Sequence, residues 1–298
     1  KDNNSLYEIS IGSENGSVEA NTNGAGMFAY LDNVSSLDLS GLDTSNMTSM
    51  SRMFYNSTSL TNIDLSGFDT SKVVNMSHIF DGCSNLENVD LSNFNTSNVI
   101  NMEGVFRNDT NLKEIKLGDN FKTNKVTTML AMFASCSSLK RVDLSNFDTS
   151  NVTTMQSMFY KCENLELLDL SSFKTNKVTN MYCMFAYCTS LKTINLTSFD
   201  TSKVTTMQSM FLLCKSIEML DLSTFTTDSA TNIMYMFDTC SSLKSLDIRN
   251  ASFSSVSKNT SAFNVVNSNV VVYVKNDTEK EFIINTIKNI ISDNVIAG

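Results

Sequence analysis

Proline and tryptophan are missing altogether from this 298-residue chain, and histidine occurs once, at His78. A proline-free sequence suits a sheet in which every rung must donate to the next. A single histidine, with no GxSxG, HExxH, phosphate-loop or CxxC string anywhere, leaves catalysis and metal or cofactor binding little to stand on. Bases are scarce too: 22 Lys and Arg against 31 Asp and Glu give a net charge of −9. With the two signs interspersed, that balance argues against a nucleic-acid backbone as partner. No apolar run is long enough to span a bilayer, so direct membrane insertion is not expected. The chain opens Lys1-Asp2-Asn3-Asn4 with no charged-then-apolar leader. That fits either a cytosolic chain or one whose signal and anchoring segments lie outside this sequence.

What is present is a repeat. Phenylalanine returns at Phe28, Phe54, Phe80, Phe106, Phe133, Phe159, Phe185, Phe211, Phe237 and Phe263, each step being 26 residues except one of 27. Self-similarity at that period is the mark of a stacked array, in which each unit packs on its neighbours and total length is not limited by one closed core. The hydrophobic fraction of 41% is ample for such a core. Seven cysteines are present, six of them in one repeat column, so their spacing reflects the repeat and not a metal or disulfide framework.

Two hydrophobic periods alternate within a unit. Val152, Met155, Met158 and Phe159 lie at i, i+3, i+6 and i+7, which predicts a short helix or 3-10 segment with one apolar face. After a polar turn, Leu168-Asp169-Leu170 predicts a short strand with the aspartate turned outward. The same triplet recurs from Leu37-Asp38-Leu39 to Leu246-Asp247-Ile248, with Val272-Tyr273-Val274 in register as the last. Strands one period apart, each returning through a crossover, must run parallel, and such crossovers are right-handed. The added residue of the 27-residue step falls in Leu117-Gly118-Asp119-Asn120-Phe121, where glycine suggests a bulge. Residues 1–26, with Ile9-Ser10-Ile11 one period before the first strand, are expected to form an N-terminal cap. Residues 27–274 form nine to ten units. Over 275–298, the string Thr278-x-x-Glu281 resembles a capping box, and Phe282, Ile283, Ile287, Ile290 and Ile291 predict a C-terminal capping helix.

The block Leu165-x-x-Leu168-x-Leu170-x-x-Phe173 resembles the leucine-rich repeat pattern, with phenylalanine where Asn or Cys is usual. The longer string Val178-Thr179-Asn180-Met181-x-x-Met184-Phe185-x-x-Cys188-x-x-Leu191-x-x-Ile194-x-Leu196-x-x-Phe199-Asp200-Thr201-Ser202 is similar to the 26-residue repeat of BspA-like bacterial surface proteins. The match runs over about residues 27–274. The resemblance implies an α/β leucine-rich-repeat solenoid, with a parallel sheet on one face and short helical segments on the other. It also implies a secreted or surface-attached ectodomain suspected of adhesion or host binding, and brings no catalytic residues with it.

Stacking turns each repeat position into a ladder. The two phenylalanine columns and the methionines beside them read as core. Cys83, Cys136, Cys162, Cys188, Cys214 and Cys240 read as buried free thiols; adjacent rungs leave disulfides open in principle. Leu31, Ser57 and Asp109 share their column. Thr44, Thr70, Thr96, Thr123, Thr149, Thr175, Thr201 and Thr227 read as hydroxyls satisfying the turn after the strand. The outward strand column is the candidate site: Asp38, Asp64, Asp90, Lys116, Asp143, Asp169, Asn195, Asp221 and Asp247. Neighbouring carboxylates one rung apart repel by on the order of 1 kcal/mol. Either nearby Ser and Thr hydrogen bonds hold them, or the strip meets a basic partner or divalent cations. Asp143 with Asp169 would also stand near the separation of a glycosidase pair, an automatic product of stacking.

The expectation is therefore a monomeric, non-catalytic, extracellular ectodomain that binds a host or matrix protein or a glycan through its sheet face and needs no cofactor. A rigid spacer holding another domain off the cell surface is the alternative, and a carbohydrate-active enzyme a third.

Overall fold

The computed structural model describes residues 6–12, 16–264, 266–287 and 290–298. The chain divides into two compact units, Lys1–Val142 and Asp143–Gly298.

In the first unit, β1 (Tyr7–Ser10), β3 (Val34–Asp38) and β5 (Asn62–Asp64) pair in parallel, as do β6 (Asn88–Leu91) and β7 (Glu114–Leu117). A second short pair joins β2 (Val18–Glu19) to β4 (Leu42–Asp43). Within residues 1–26, expected to form an N-terminal cap, β1 adds a strand in which Ile9 pairs with Leu37, two residues out of the 26-residue register. Residues 1–5 and 13–15 of that cap lie outside the described residues.

In the second unit, β8 (Leu167–Asp169) pairs with β9 (Thr193–Asn195), and β10 (Met219–Asp221), β11 (Ser245–Asp247), β12 (Val271–Val274) and β13 (Val295–Ala297) run on in parallel. Residues 142–144 form no strand, although Leu144 is buried. The preceding 27-residue step is accommodated within the first unit at Gly118, where a Cβ would stand 1.9 Å from the Ser92 carbonyl oxygen. Only glycine fits that approach.

The expected helical segments are absent from the described repeats. Over Met155–Lys161, alternate amides leave the segment: Met155, Ser157, Phe159 and Lys161 donate to the next rung, to the carbonyls of Asn180, Tyr182, Met184 and Ala186. The amides between, Met158 and Tyr160, close back on Met155 and Ser157 three residues earlier. A helix would spend every amide internally. This chain of turns needs left-handed residues, and Ser157 (φ 55°) and Lys161 (φ 58°) supply them. The inward set is as expected: Val152, Met155, Met158 and Phe159 are fully buried. One parallel bridge per rung, such as Thr154 with Asn180 and Asn180 with Thr206, ties the turns together.

Phenylalanine rings stack along each unit, from Phe28 on Phe54 at 5.7 Å through Phe106 on Phe133 at 5.6 Å in the first, and Phe159 on Phe185 at 5.8 Å through Phe237 on Phe263 at 5.1 Å in the second. Centroids at this spacing add to the area each ring buries. The seven cysteines are free and buried. In the repeat column their thiols donate across rungs, for example Cys188 Sγ to the Phe159 carbonyl at 3.1 Å and Cys240 Sγ to that of Phe211 at 3.1 Å.

The C-terminal helix α1 (Asp277–Thr286) is capped by Asn276, whose Oδ1 accepts from the Glu279 amide, two residues before the expected Thr278. It ends before Ile290 and Ile291. Phe282 stacks on Phe253 at 4.5 Å, Ile283 is buried, and the Phe253 amide donates to Glu279 Oε2 at 3.2 Å, so the helix covers the last rungs as predicted. After it the chain returns as β13, beside β12, a strand that lacks the leucines and aspartate of the repeat.

Candidate binding face

Strand alternation decides which side chains can meet a ligand. In β10, Leu220 points into the core while Met219 and Asp221 point outward, and β8 places Leu167 and Asp169 in the same way around Leu168. Register carries the pattern across rungs: Met219 lies beside Ser245 and Asp221 beside Asp247, which in turn neighbours Tyr273.

The outward column is held by local turns. In the first unit the amides of Ser40, Ser66 and Ser92 donate to the Oδ1 atoms of Asp38, Asp64 and Asp90 at 3.0, 2.9 and 2.9 Å. In the second, Ser145, Ser171, Thr197, Ser223 and Arg249 do the same to Asp143, Asp169, Asn195, Asp221 and Asp247. Each is an Asx-turn, and all but that of Asp143, which lies in no strand, close a strand. The following serine's hydroxyl, together with its amide, holds Asp38, Asp64 and Asp221 below the usual carboxylate range; at Asp143 and Asp169 the amide leads. Asp90 is lowered to about 2, chiefly by the Lys116 ammonium 2.9 Å away and then by Ser92. Asp38, Asp64, Asp90, Asp143, Asp169 and Asp221 are therefore ionised, each with the serine partner expected from the sequence.

Those shifts also bear on the glycosidase reading. A general acid needs a raised pKa, and Asp143 and Asp169 are both shifted the other way. Among the described residues no group of three or more His, Cys, Asp or Glu could hold a metal ion.

A second outward column, three residues before the first, pairs opposite charges between rungs: Lys113 with Glu87 at 2.8 Å in the first unit, and Lys192 with Glu166 at 3.2 Å and Lys244 with Glu218 at 2.7 Å in the second. Between these columns the second unit exposes apolar side chains that sequence reasoning missed. Leu167 is 56% exposed and Met219 72%. Both stand where the repeat usually places a polar residue, such as Thr193 or Ser245, and that departure was readable. An open groove on this face is lined by Ile194, Met219 and Tyr273 together with Lys192, Asp221 and Asp247. The Arg249 guanidinium grips Asp247 and lies 5.7 Å from the Tyr273 ring.

Parallel rungs, buried leucines at LxxLxL spacing and one outward residue between them define a solenoid of the leucine-rich-repeat kind. The chain belongs to the family described as Mycoplasma protein of unknown function, DUF285, whose pattern matches residues 22–119, 113–195 and 168–272. No curated protein matches it. Among solved structures it is similar to a leucine-rich repeat protein from Bacteroides ovatus, at 18% identity and a TM-score of 0.48 over 86% of this chain and 58% of that one. A leucine rich cell surface protein from Faecalibacterium prausnitzii matches at 15% identity and a TM-score of 0.31, over 96% of this chain and 91% of that one. A leucine-rich repeat protein from Eubacterium ventriosum matches at 14% identity and a TM-score of 0.33, over 80% and 84%. The chain thus spans 58% of the length of the Bacteroides protein. Among the described residues no helix is long and apolar enough to cross a membrane.

Proposed function

We propose that this chain is a non-catalytic binding domain of a BspA-like bacterial surface protein, and that the sheet face of the second unit binds a host or matrix protein or a glycan outside the cell. The observation that carries the reading is the outward placement of Leu167 and Met219 beside the ionised carboxylates of Asp169 and Asp221. The local fold has no use for either side chain there, and an exposed apolar patch rimmed by polar groups is the usual composition of an interaction site. The chain works as a monomer, without a cofactor, nucleic acid or membrane contact. The Asp column serves the strand ends first; at Asp169 and Asp221 it also borders the patch.

The test is a panel of immobilised fibronectin, collagen, laminin and arrayed glycans probed with the full chain and with Met219→Lys/Asp221→Lys. Capture by the wild type that is lost in the variant at unchanged melting temperature supports the proposal. Capture indifferent to both substitutions overturns it. A blank panel favours the spacer reading, which the dense rung-to-rung hydrogen bonding within each unit would suit.

A further inference from the structure

One repeat column has a fixed hydrogen-bonding rule. Ser57 Oγ donates to the Phe28 carbonyl at 2.8 Å, Cys83 Sγ to Phe54 at 3.1 Å and Cys136 Sγ to Phe106 at 2.9 Å in the first unit. Cys188, Cys214 and Cys240 do the same in the second. Each of these six side chains brings a proton to the phenylalanine carbonyl of the rung before. Asp109 stands in this column between Cys83 and Cys136, with the Phe80 carbonyl at the equivalent place, and it is fully buried. Its Oδ1 accepts from the Cys83 amide at 2.8 Å. Its Oδ2 is buried and has no partner.

A carboxylate there would violate the column's rule and leave a buried charge unpaired. We infer that Asp109 is a neutral carboxylic acid in the folded chain, its Oδ2–H replacing the cysteine thiol as donor to the Phe80 carbonyl, so that the first unit carries a built-in sensitivity to rising pH. No surrounding side chain offers another proton, and the Gly82 amide, which also faces the carboxyl, donates to the Arg107 carbonyl at 2.8 Å. On the rung before, both oxygens of Asp81 are engaged, Oδ1 by the Asn108 amide group at 2.9 Å and Oδ2 by His78 Nδ1 at 2.9 Å. The Cys83 thiol is directed to Phe54, and on the next rung the Cys136 thiol to Phe106. Glu103 lies beyond His78, 3.5 Å from its Nε2. Burial first, and then the negative charge of Asp81, push the Asp109 carboxyl well above its usual range.

The proton balance sets the sign. Above the ordinary carboxylate pKa an unfolded Asp109 is ionised, so folding takes up one proton from solvent. This stabilising contribution is complete below the unfolded pKa and is lost as pH rises toward the raised folded pKa. Two measurements on the full chain test it. The 13Cγ resonance of Asp109, assigned by its loss in Asp109→Asn, is expected at the position of a protonated acid at pH 7; a carboxylate shift there overturns the inference. Asp109→Cys installs the residue that neighbouring rungs carry. Relative to that variant, the wild-type unfolding constant is expected to rise about tenfold per pH unit above pH 5, until Asp109 ionises in the folded chain. A pH-independent ratio overturns the inference as well.

Discussion

The hydroxyl of Thr175 donates to the carbonyl of Asp200 at 2.8 Å and accepts from the amide of the same residue at 2.8 Å, closing a two-sided clasp between successive rungs. Thr44 with Asp69, Thr70 with Asn95 and Thr149 with Lys174 form the same clasp. The threonine column is thus the device that satisfies the turn where the chain leaves the strand.

Replacing Thr175 with valine keeps the shape and removes both bonds, leaving an amide and a carbonyl without their partner. About 1 to 3 kcal/mol of stability should be lost, read by urea unfolding, while Thr175→Ser should keep most of it. Equal losses in the two variants would assign the effect to packing.

Gly118 faces the Ser92 carbonyl at a separation no Cβ tolerates, whereas a Cβ on Gly67 would meet the Ser40 carbonyl oxygen at an ordinary 3.4 Å. Gly118→Ala should therefore destabilise the first unit by roughly 1 to 3 kcal/mol, and Gly67→Ala should stay within about 0.5 kcal/mol of wild type. Thermal unfolding of both variants checks the contrast.

Asp90, lowered to about 2, differs from its column neighbours because Lys116 reaches it. A depressed folded pKa gives a contribution that is present above the ordinary carboxylate range and disappears as pH falls through about 2. Lys116→Met should raise the Asp90 pKa while leaving it below the usual range, since Ser92 still donates. NMR titration of the carboxyl carbons reads this directly, and an unchanged value would refute the assignment to Lys116.

Much of this architecture was legible in the sequence because stacking repeats each decision. Phe159, Met155 and Leu168 could be placed inside from their period, and Asp169 outside from its alternation. The turn segment was misread because apolar residues at i, i+3 and i+7 suit a helix and a chain of turns alike. What distinguishes them is the left-handed backbone at two positions per rung, and in the sequence only Gly26, Gly82 and Gly104 mark it, while Arg52, His78 and Lys161 adopt it without being glycine. Strand β13 was missed because Val295-Ile296-Ala297 carries none of the repeat's residues. Its place is set by the open edge of β12. Of the candidate site, the aspartate column was visible, but its structural duty follows from the i+2 amides. The exposed Leu167 and Met219 were overlooked because an apolar residue in a leucine-rich unit attracts no notice until its direction is known.

The central claim, that the second unit's sheet face is the binding surface and its turn face is scaffold, is tested most directly by one comparison of dissociation constants. The wild type, Leu167→Ser/Met219→Ser and Lys161→Ser would be measured by surface plasmon resonance against whichever matrix protein or glycan of the panel the wild type captures. Serine already occupies the left-handed position of Lys161 at Ser135, so that control should fold normally. The account predicts at least about tenfold weaker binding for the sheet-face pair, the loss expected when central apolar anchors are truncated, and no change for Lys161→Ser. Undiminished binding by the sheet-face pair, or a loss confined to Lys161→Ser, would contradict it.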